Sequence, residues 1–320
     1  MKRILIIALA AMLLLACTAS AEVSLTTGRN IDHANHEIAV QLDNEPGARP
    51  QKGIGSADIV YEVEVYNGGY TRYTAIFNDT VPELVEAVRS ARIVNADIMM
   101  EYSGILVHFG GQKYAGSNVY EYFQRLPGVV SVDGIVQDGG KLFYRDKSRK
   151  APNNVICILP SIVERVNWAN KPEKSPLTFN AQFTVPAAGE NVNSFRIAYR
   201  DKYTASYQWD ASIGRYLRFY GDNPFIDGLT NEQVKVDNVI VQSVEYSWFS
   251  GESDRPNVKT VGSNSCEYFI GGKHFSGYWK RDDVNSNTVY YDNDGNVVAF
   301  NPGVTFIQLL KTEKAVEITG

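Results

Sequence analysis

The sequence predicts an α+β protein, with a mixed α/β N-terminal part followed by a β-dominated C-terminal part. Strand-like and helix-like runs alternate over about 140 residues from Ile38 onward. From Lys171 to Asn193 that pattern stops, and Pro172, Pro176, Pro186 and Gly189 interrupt the chain as in a linker. Beyond it, short β-rich runs recur with Gly, Asn and Asp turns between them. The expected divisions are a domain over 37–170, a linker over 171–193 and a second domain over 194–320.

The N-terminus has a different character. Lys2 and Arg3 precede thirteen uncharged residues, Ile4 to Ala16, the layout of an export signal. As a helix that run rises only ~20 Å, short of a hydrocarbon core of ~30 Å. It ends Leu14-Leu15-Ala16-Cys17, which resembles the lipobox of bacterial lipoproteins. On that likeness residues 1–16 are a signal peptide, Cys17 is the lipidated residue, and 17–36 form a flexible tether. The alternative is an ordinary signal peptide cut near Ala21. The expected address is the outer face of the bacterial cytoplasmic membrane, or an outer membrane where there is one, with the lipid as the membrane contact.

Removing residues 1–16 leaves 29 basic against 36 acidic side chains, a formal charge of −7. That balance disfavours a nucleic-acid surface but not a local basic pocket. Hydrophobic content of 44% and 19 tyrosines suit packed globular domains. Cys157 sits in the apolar run Val155 to Leu159, and Cys157 and Cys266 are expected as buried thiols rather than a disulfide.

Taking the elements in order, Ile38 to Leu42 is a short strand ended by the turn cluster Asp43-Asn44-Glu45-Pro46-Gly47. Ile59 to Val65 alternates, with Ile59, Tyr61, Val63 and Val65 on one face and Val60, Glu62 and Glu64 on the other. Asn67-Gly68-Gly69 then turns the chain into Tyr70 to Asn78, making a hairpin in which Arg72 faces Glu62 or Glu64. Ile93 to Tyr102 is an expected helix and Gly104 to Phe109 a buried strand. Asn118 to Leu126 is a second helix, Lys141 to Tyr144 an edge strand, and Ser161 to Asn167 a third helix after the strand Val155 to Leu159. In the second half, strands are expected at 195–199, 205–209, 215–220, 238–244, 268–270, 288–291 and 297–300.

Several segments carry a further likeness: Val40 to Asn44 with Ala48 to Gln51, Ala57 to Glu62, Thr71 to Tyr73, Val88 to Arg92, Val107 to Gly111 and Arg149 to Pro152. Asp237 to Val241, Tyr278 to Lys280 and Asn301 to Thr305 continue it. Together they resemble the YerB-like family of bacterial lipoproteins, a two-domain family of unknown function. The resemblance implies an architecture and a location, and no reaction. One departure is Asn153-Asn154, where the family usually has His-Asn, so a histidine role does not carry over to that position.

The segment Arg89-Ser90-Ala91-Arg92 places two guanidinium groups around a residue suited to cap the helix that follows. With Arg49, Arg72, Arg149 and Lys150, and with Asp43 beside them, it makes a candidate ligand-binding set, because the planar fork of arginine suits oxyanions. Two arrangements fit. Either several of these residues converge and clamp a phosphate, carboxylate or sulfate, or each arginine is paired with its own acid in a structural network. His108, before Gly110-Gly111, is a candidate general base with Glu62 or Asp58, against the plainer reading of a core histidine. Glu62 and Glu64 are two apart on a strand, ~6.5 to 7 Å at the backbone, a spacing glycosidase carboxylates share and solvent-facing glutamates explain better. No metal site or cofactor is expected, since HExxH, Walker A, GxGxxG and GxSxG patterns are all missing. The expectation is a protein that binds an anionic envelope ligand or an envelope protein rather than catalysing. Its alternatives are an envelope hydrolase, and a docking module built on Trp209, Tyr216, Tyr220, Trp248 and Trp279.

Overall fold

The computed structural model describes residues 22–114, 116–136, 141–200, 203–249 and 254–320; Cys17 lies outside them. Nine strands of one main sheet are numbered here in chain order. They are β1 (Ile38–Asp43), β2 (Ile59–Tyr66), β3 (Tyr70–Phe77), β4 (Ile105–His108), β5 (Val130–Asp133), β6 (Asn238–Val244), β7 (Gly262–Ile270), β8 (Lys273–Arg281) and β9 (Thr305–Lys311). Among the described residues the helices are short: α1 (Ile93–Met99), α2 (Val119–Phe123) and α3 (Leu159–Val163). The molecule is therefore strand-dominated, and the helical content expected of the N-terminal part shrinks to these three pieces. Each ends before the sequence pattern does, because tertiary packing rather than propensity decides how far so short a helix runs.

Across the sheet the strand order is β5-β4-β1-β3-β2-β9-β6-β7-β8. Two short strands, Glu190–Asn191 and Val289–Asp292, both pair with β8. The strand that joins the halves is β9, which runs parallel to β2 on one side and to β6 on the other. Its run Phe306-Ile307-Gln308-Leu309-Leu310 is buried on both faces, the composition expected of a central strand flanked by parallel neighbours. The sequence reading assigned no strand there. Strands from both expected domains thus share one sheet. Within the expected linker, Thr178–Phe179 pairs with Ala299–Phe300.

A second, six-stranded sheet covers one face of the first, built on Ser194–Arg200, Tyr203–Asp210 and Arg215–Tyr220. Phe195, Ile197, Tyr207 and Tyr216 from it pack with Val60, Ala75, Val239 and Phe306 of the main sheet. Phe195 stacks on Phe269 with ring centroids 3.5 Å apart. The opposite face buries Ile59, Tyr61, Val63, Ile240 and Ile307 against Val94, Ile98 and Met99 of α1. The alternation read in β2 is correct, but both faces are covered, so Glu62 and Glu64 are buried rather than solvent-facing. Cys157 and Cys266 are free and buried.

Arg72 differs from expectation as well. In the β2–β3 ladder it lies opposite Val63, and in the β1–β3 ladder opposite Asp43. Directly opposed residues project from the same face, which sends Arg72 toward Asp43 and away from Glu62 and Glu64.

Candidate anion site

The segment Arg89 to Arg92 is held extended between β1 and the chain leaving β4. Arg89 N–H donates to Gln41 O (2.9 Å), and Arg89 O accepts from Phe109 N–H (3.0 Å). Ala91 N–H donates to Gly110 O (2.9 Å), and Ala91 O accepts from Gln112 N–H (3.0 Å). These strand-like pairings overturn Ser90 as the helix cap. The capping position belongs to Arg92, whose N–H is taken by Asn95 Oδ1 (2.7 Å), while Ser90 Oγ donates to Phe109 O (3.2 Å).

What converges here is a group of guanidinium ions around Tyr66. Arg92 Nη2 donates to the Tyr66 hydroxyl at 2.9 Å, and Arg72 Nη2 lies 3.5 Å from the same oxygen. Arg72 Nη1 donates to Ser90 O (2.8 Å), and its Nε is 4.0 Å from Asp43. Arg89 Nε sits 3.2 Å from Asp43 Oδ2, and Nη1 donates to Asn153 Oδ1 (3.0 Å). Asn153 thus serves as an acceptor that steadies Arg89. Arg255, from the other half of the chain, lies 5.3 Å from the Tyr66 ring and 4.3 Å from that of Tyr114.

Among the described residues, Asp43 faces both Arg72 and Arg89, whereas Arg92 pairs with a phenol and a backbone carbonyl and with no carboxylate. Arg92 is only 7% exposed, and its Nε has no hydrogen-bond partner; nor has Nε of Arg72. Burial, with the repulsion of Arg72 beside it, pulls the Arg92 guanidinium down to about 9. Burial would raise the Tyr66 phenol, but Arg92, Arg72, Arg255 and Arg89 outweigh it and lower it.

Other members of the candidate set sit elsewhere. Arg49 grips Asn44 O (2.8 Å) and stacks over Tyr220 at 3.7 Å, on the edge of a separate cleft of about 780 Å³ that includes Arg196 and Asp222. Arg149 pins a loop through Ala48 O (3.0 Å) and Pro50 O (2.8 Å) and lies 3.5 Å from Glu86. Lys150 is exposed.

The catalytic candidates fall into three unconnected networks. His108 has both ring nitrogens engaged, by Gly110 O and Ser131 Oγ at 2.7 Å each, and burial lowers its pKa despite nearby Asp133. Glu62 is bound by Asn44, Thr71 and Arg218, at 2.9, 2.8 and 2.9 Å. Asp58 accepts from Thr26 Oγ1 (2.8 Å) and Asp79 N–H (3.0 Å). Among the described residues, no three His, Cys, Asp or Glu side chains gather to hold a metal ion. Of the second-half aromatics, Tyr216 and Trp279 are core and Trp248 is exposed. Two members of the arginine site, Tyr66 and Arg255, had no signal tying them to Arg89; the fold alone brings them in.

Residues 25–170 match the N-terminal domain, and residues 195–307 the C-terminal domain, of the family described as "Protein of unknown function (DUF3048)". The chain belongs to that family. It is 29% identical over 293 residues to the Bacillus subtilis (strain 168) protein named "Putative lipoprotein YerB", covering 88% of this chain and 83% of the relative. It also superposes on the crystal structure of YerB protein from Bacillus subtilis with a TM-score of 0.76 at 24% identity, over 92% of this chain and 98% of that one. The YerB-like motifs read in the sequence therefore identify the family and its fold. No described helix of this DUF3048 protein is long and apolar enough to cross a membrane.

Proposed function

We propose that this DUF3048 protein is exported, tethered through a lipid on Cys17 to the outer face of the membrane, and binds an anionic envelope ligand with Arg72, Arg89, Ser90 and Arg92. The observation that carries the reading is Arg92: a buried cation with no carboxylate partner among the described residues, held beside a second buried arginine. Burying an uncompensated charge costs stability, and such a cost is retained where a ligand supplies the missing charge. An oxyanion of the phosphate class fits the forked donors.

Titration calorimetry with inorganic pyrophosphate tests the site. The wild type binds it, and Arg92→Gln, with the same fold by circular dichroism, loses at least about tenfold in affinity, the loss of one charge-assisted contact. Equal affinity in the two proteins, or none in either, contradicts the reading. For the anchor, radiolabelled palmitate is expected in the wild type and absent from Cys17→Ser; a labelled serine variant contradicts it.

A further inference from the structure

The surroundings of the arginine site narrow its ligand further, on the reading that an anion binds there. Two consecutive aliphatic side chains stand in solvent at the turn that packs on Gly110, which itself abuts Ser90: Ile135 is 63% and Val136 70% exposed. They are not on a loose loop. The Asp133 carboxylate accepts from Ile135 N–H (2.9 Å), Gly110 N–H (2.8 Å) and the Tyr120 hydroxyl (2.6 Å). Gly134 N–H donates to His108 O and Val136 N–H to Asp133 O, each at 3.0 Å. One carboxylate thus locks the turn carrying Ile135 to the turn at Gly110.

That second turn adjoins the cations. Gly110 has φ +78°, and the position where a Cβ would stand is 3.0 Å from Ile135 Cδ1 and 3.3 Å from Ser90 Oγ. Ser90 in turn holds Arg72 through its carbonyl. On another side, Tyr114 is 44% exposed and lies under Arg255. A fixed apolar edge therefore lies next to the turn that abuts Ser90, whose carbonyl holds the Arg72 guanidinium.

We infer that the ligand is an anionic amphiphile: a phosphate-class head among Arg72, Arg89 and Arg92, with an apolar chain laid over Ile135 and Val136. A wholly polar anion would leave the two aliphatic side chains in water, and a neutral lipid would leave Arg92 without a counter-charge. An amphiphile satisfies both, since covering apolar surface contributes favourably with the area removed from water.

Calorimetry with three probes separates this from the simpler anion site: methyl phosphate, dodecyl phosphate below its micelle concentration, and dodecyl maltoside, which has the chain without the charge. The wild type binds dodecyl phosphate about tenfold or more tightly than methyl phosphate and does not bind the maltoside. The double variant Ile135→Ser, Val136→Ser, at exposed positions, brings the two phosphates to similar affinity and leaves methyl phosphate unchanged. Equal binding of both phosphates by the wild type overturns the amphiphile and leaves the anion site standing. Binding of neither overturns both. Dodecyl maltoside binding as tightly as dodecyl phosphate marks detergent adhesion and overturns the inference.

Discussion

Arg218 and Arg92 are both buried arginines in contact with tyrosine, yet their surroundings are opposite. Arg218 lies between the two sheets, fully buried, with Glu62 at 2.9 Å. Burial would lower its guanidinium, but Tyr207 and the Glu62 carboxylate outweigh burial and raise it. Arg281, fully buried with Glu101 at 3.3 Å and three backbone carbonyls around it, is built the same way. Among the described residues Arg92 has a phenol and a backbone carbonyl as partners instead of a carboxylate, and burial draws it down to about 9. The first pattern is what a fold needs in order to bury a cation. The second makes sense for a position whose counter-charge arrives from outside.

The contrast can be broken at its structural end first. Glu62→Gln keeps the shape but replaces one acceptor oxygen with an NH2 donor and strands the Arg218 charge between the sheets. A loss of about 3–5 kcal/mol in urea unfolding is expected, and a change under about 1 kcal/mol would mean that Arg218 is not a compensated pair at all. Arg72→Met is the intermediate case, because Asp43 keeps Arg89 when Arg72 is lost. The expected cost is smaller, about 1–3 kcal/mol, mostly from the freed Ser90 carbonyl. A loss as large as that of Glu62→Gln would place Arg72 with Arg218 rather than with Arg92.

Two carboxyl groups mirror Arg92 in the opposite charge. Burial pushes both Glu37 and Asp58 up to about 7, helped by Glu173 and Glu22 for the first and by Asp79 for the second. Because the folded state holds these protons more tightly than the unfolded chain, their contribution is complete below about pH 4. It is lost as pH rises through about 7. The melting temperature is expected to decline by this route between about pH 4 and 7, and Glu37→Gln to flatten the decline; an unaltered slope would show that Glu37 is already ionised in the fold. The smallest effect belongs to the surface pair Arg196–Glu317, 2.8 Å apart with both side chains about half exposed. Arg196→Ala should leave the unfolding midpoint unchanged, as exposed pairs are screened by water, and a clear shift would show that solvent exposure is the wrong divide among these pairs.

Local pattern carried part of this structure and long-range pairing the rest. The β2–β3 hairpin and the buried thiols could be read because each depends on neighbours within a few residues. The place of β9 could not be, since a strand from the C-terminal end inserts beside β2 across some 240 residues of chain. That insertion, with the second sheet packed over Glu62, is also why alternating glutamates looked solvent-facing and are not. Ser90 has the composition of a helix cap, but the backbone around it is already engaged by β1 and by the chain after β4. Arg49, Arg149 and Lys150 share motif character with Arg89 without sharing its location. Composition records what a side chain can bind, not which others it will meet.

Arg92→Met, measured by urea unfolding with and without pyrophosphate, tests the account most directly. The variant should be more stable than wild type without ligand, by about 1 kcal/mol or more, because a buried cation without a carboxylate is replaced by an apolar side chain of similar reach. It should also gain nothing from pyrophosphate, whereas the wild type is stabilised in proportion to the logarithm of ligand concentration. A variant that is less stable than wild type, or that responds to pyrophosphate as the wild type does, would make Arg92 a structural residue like Arg218 and contradict the site.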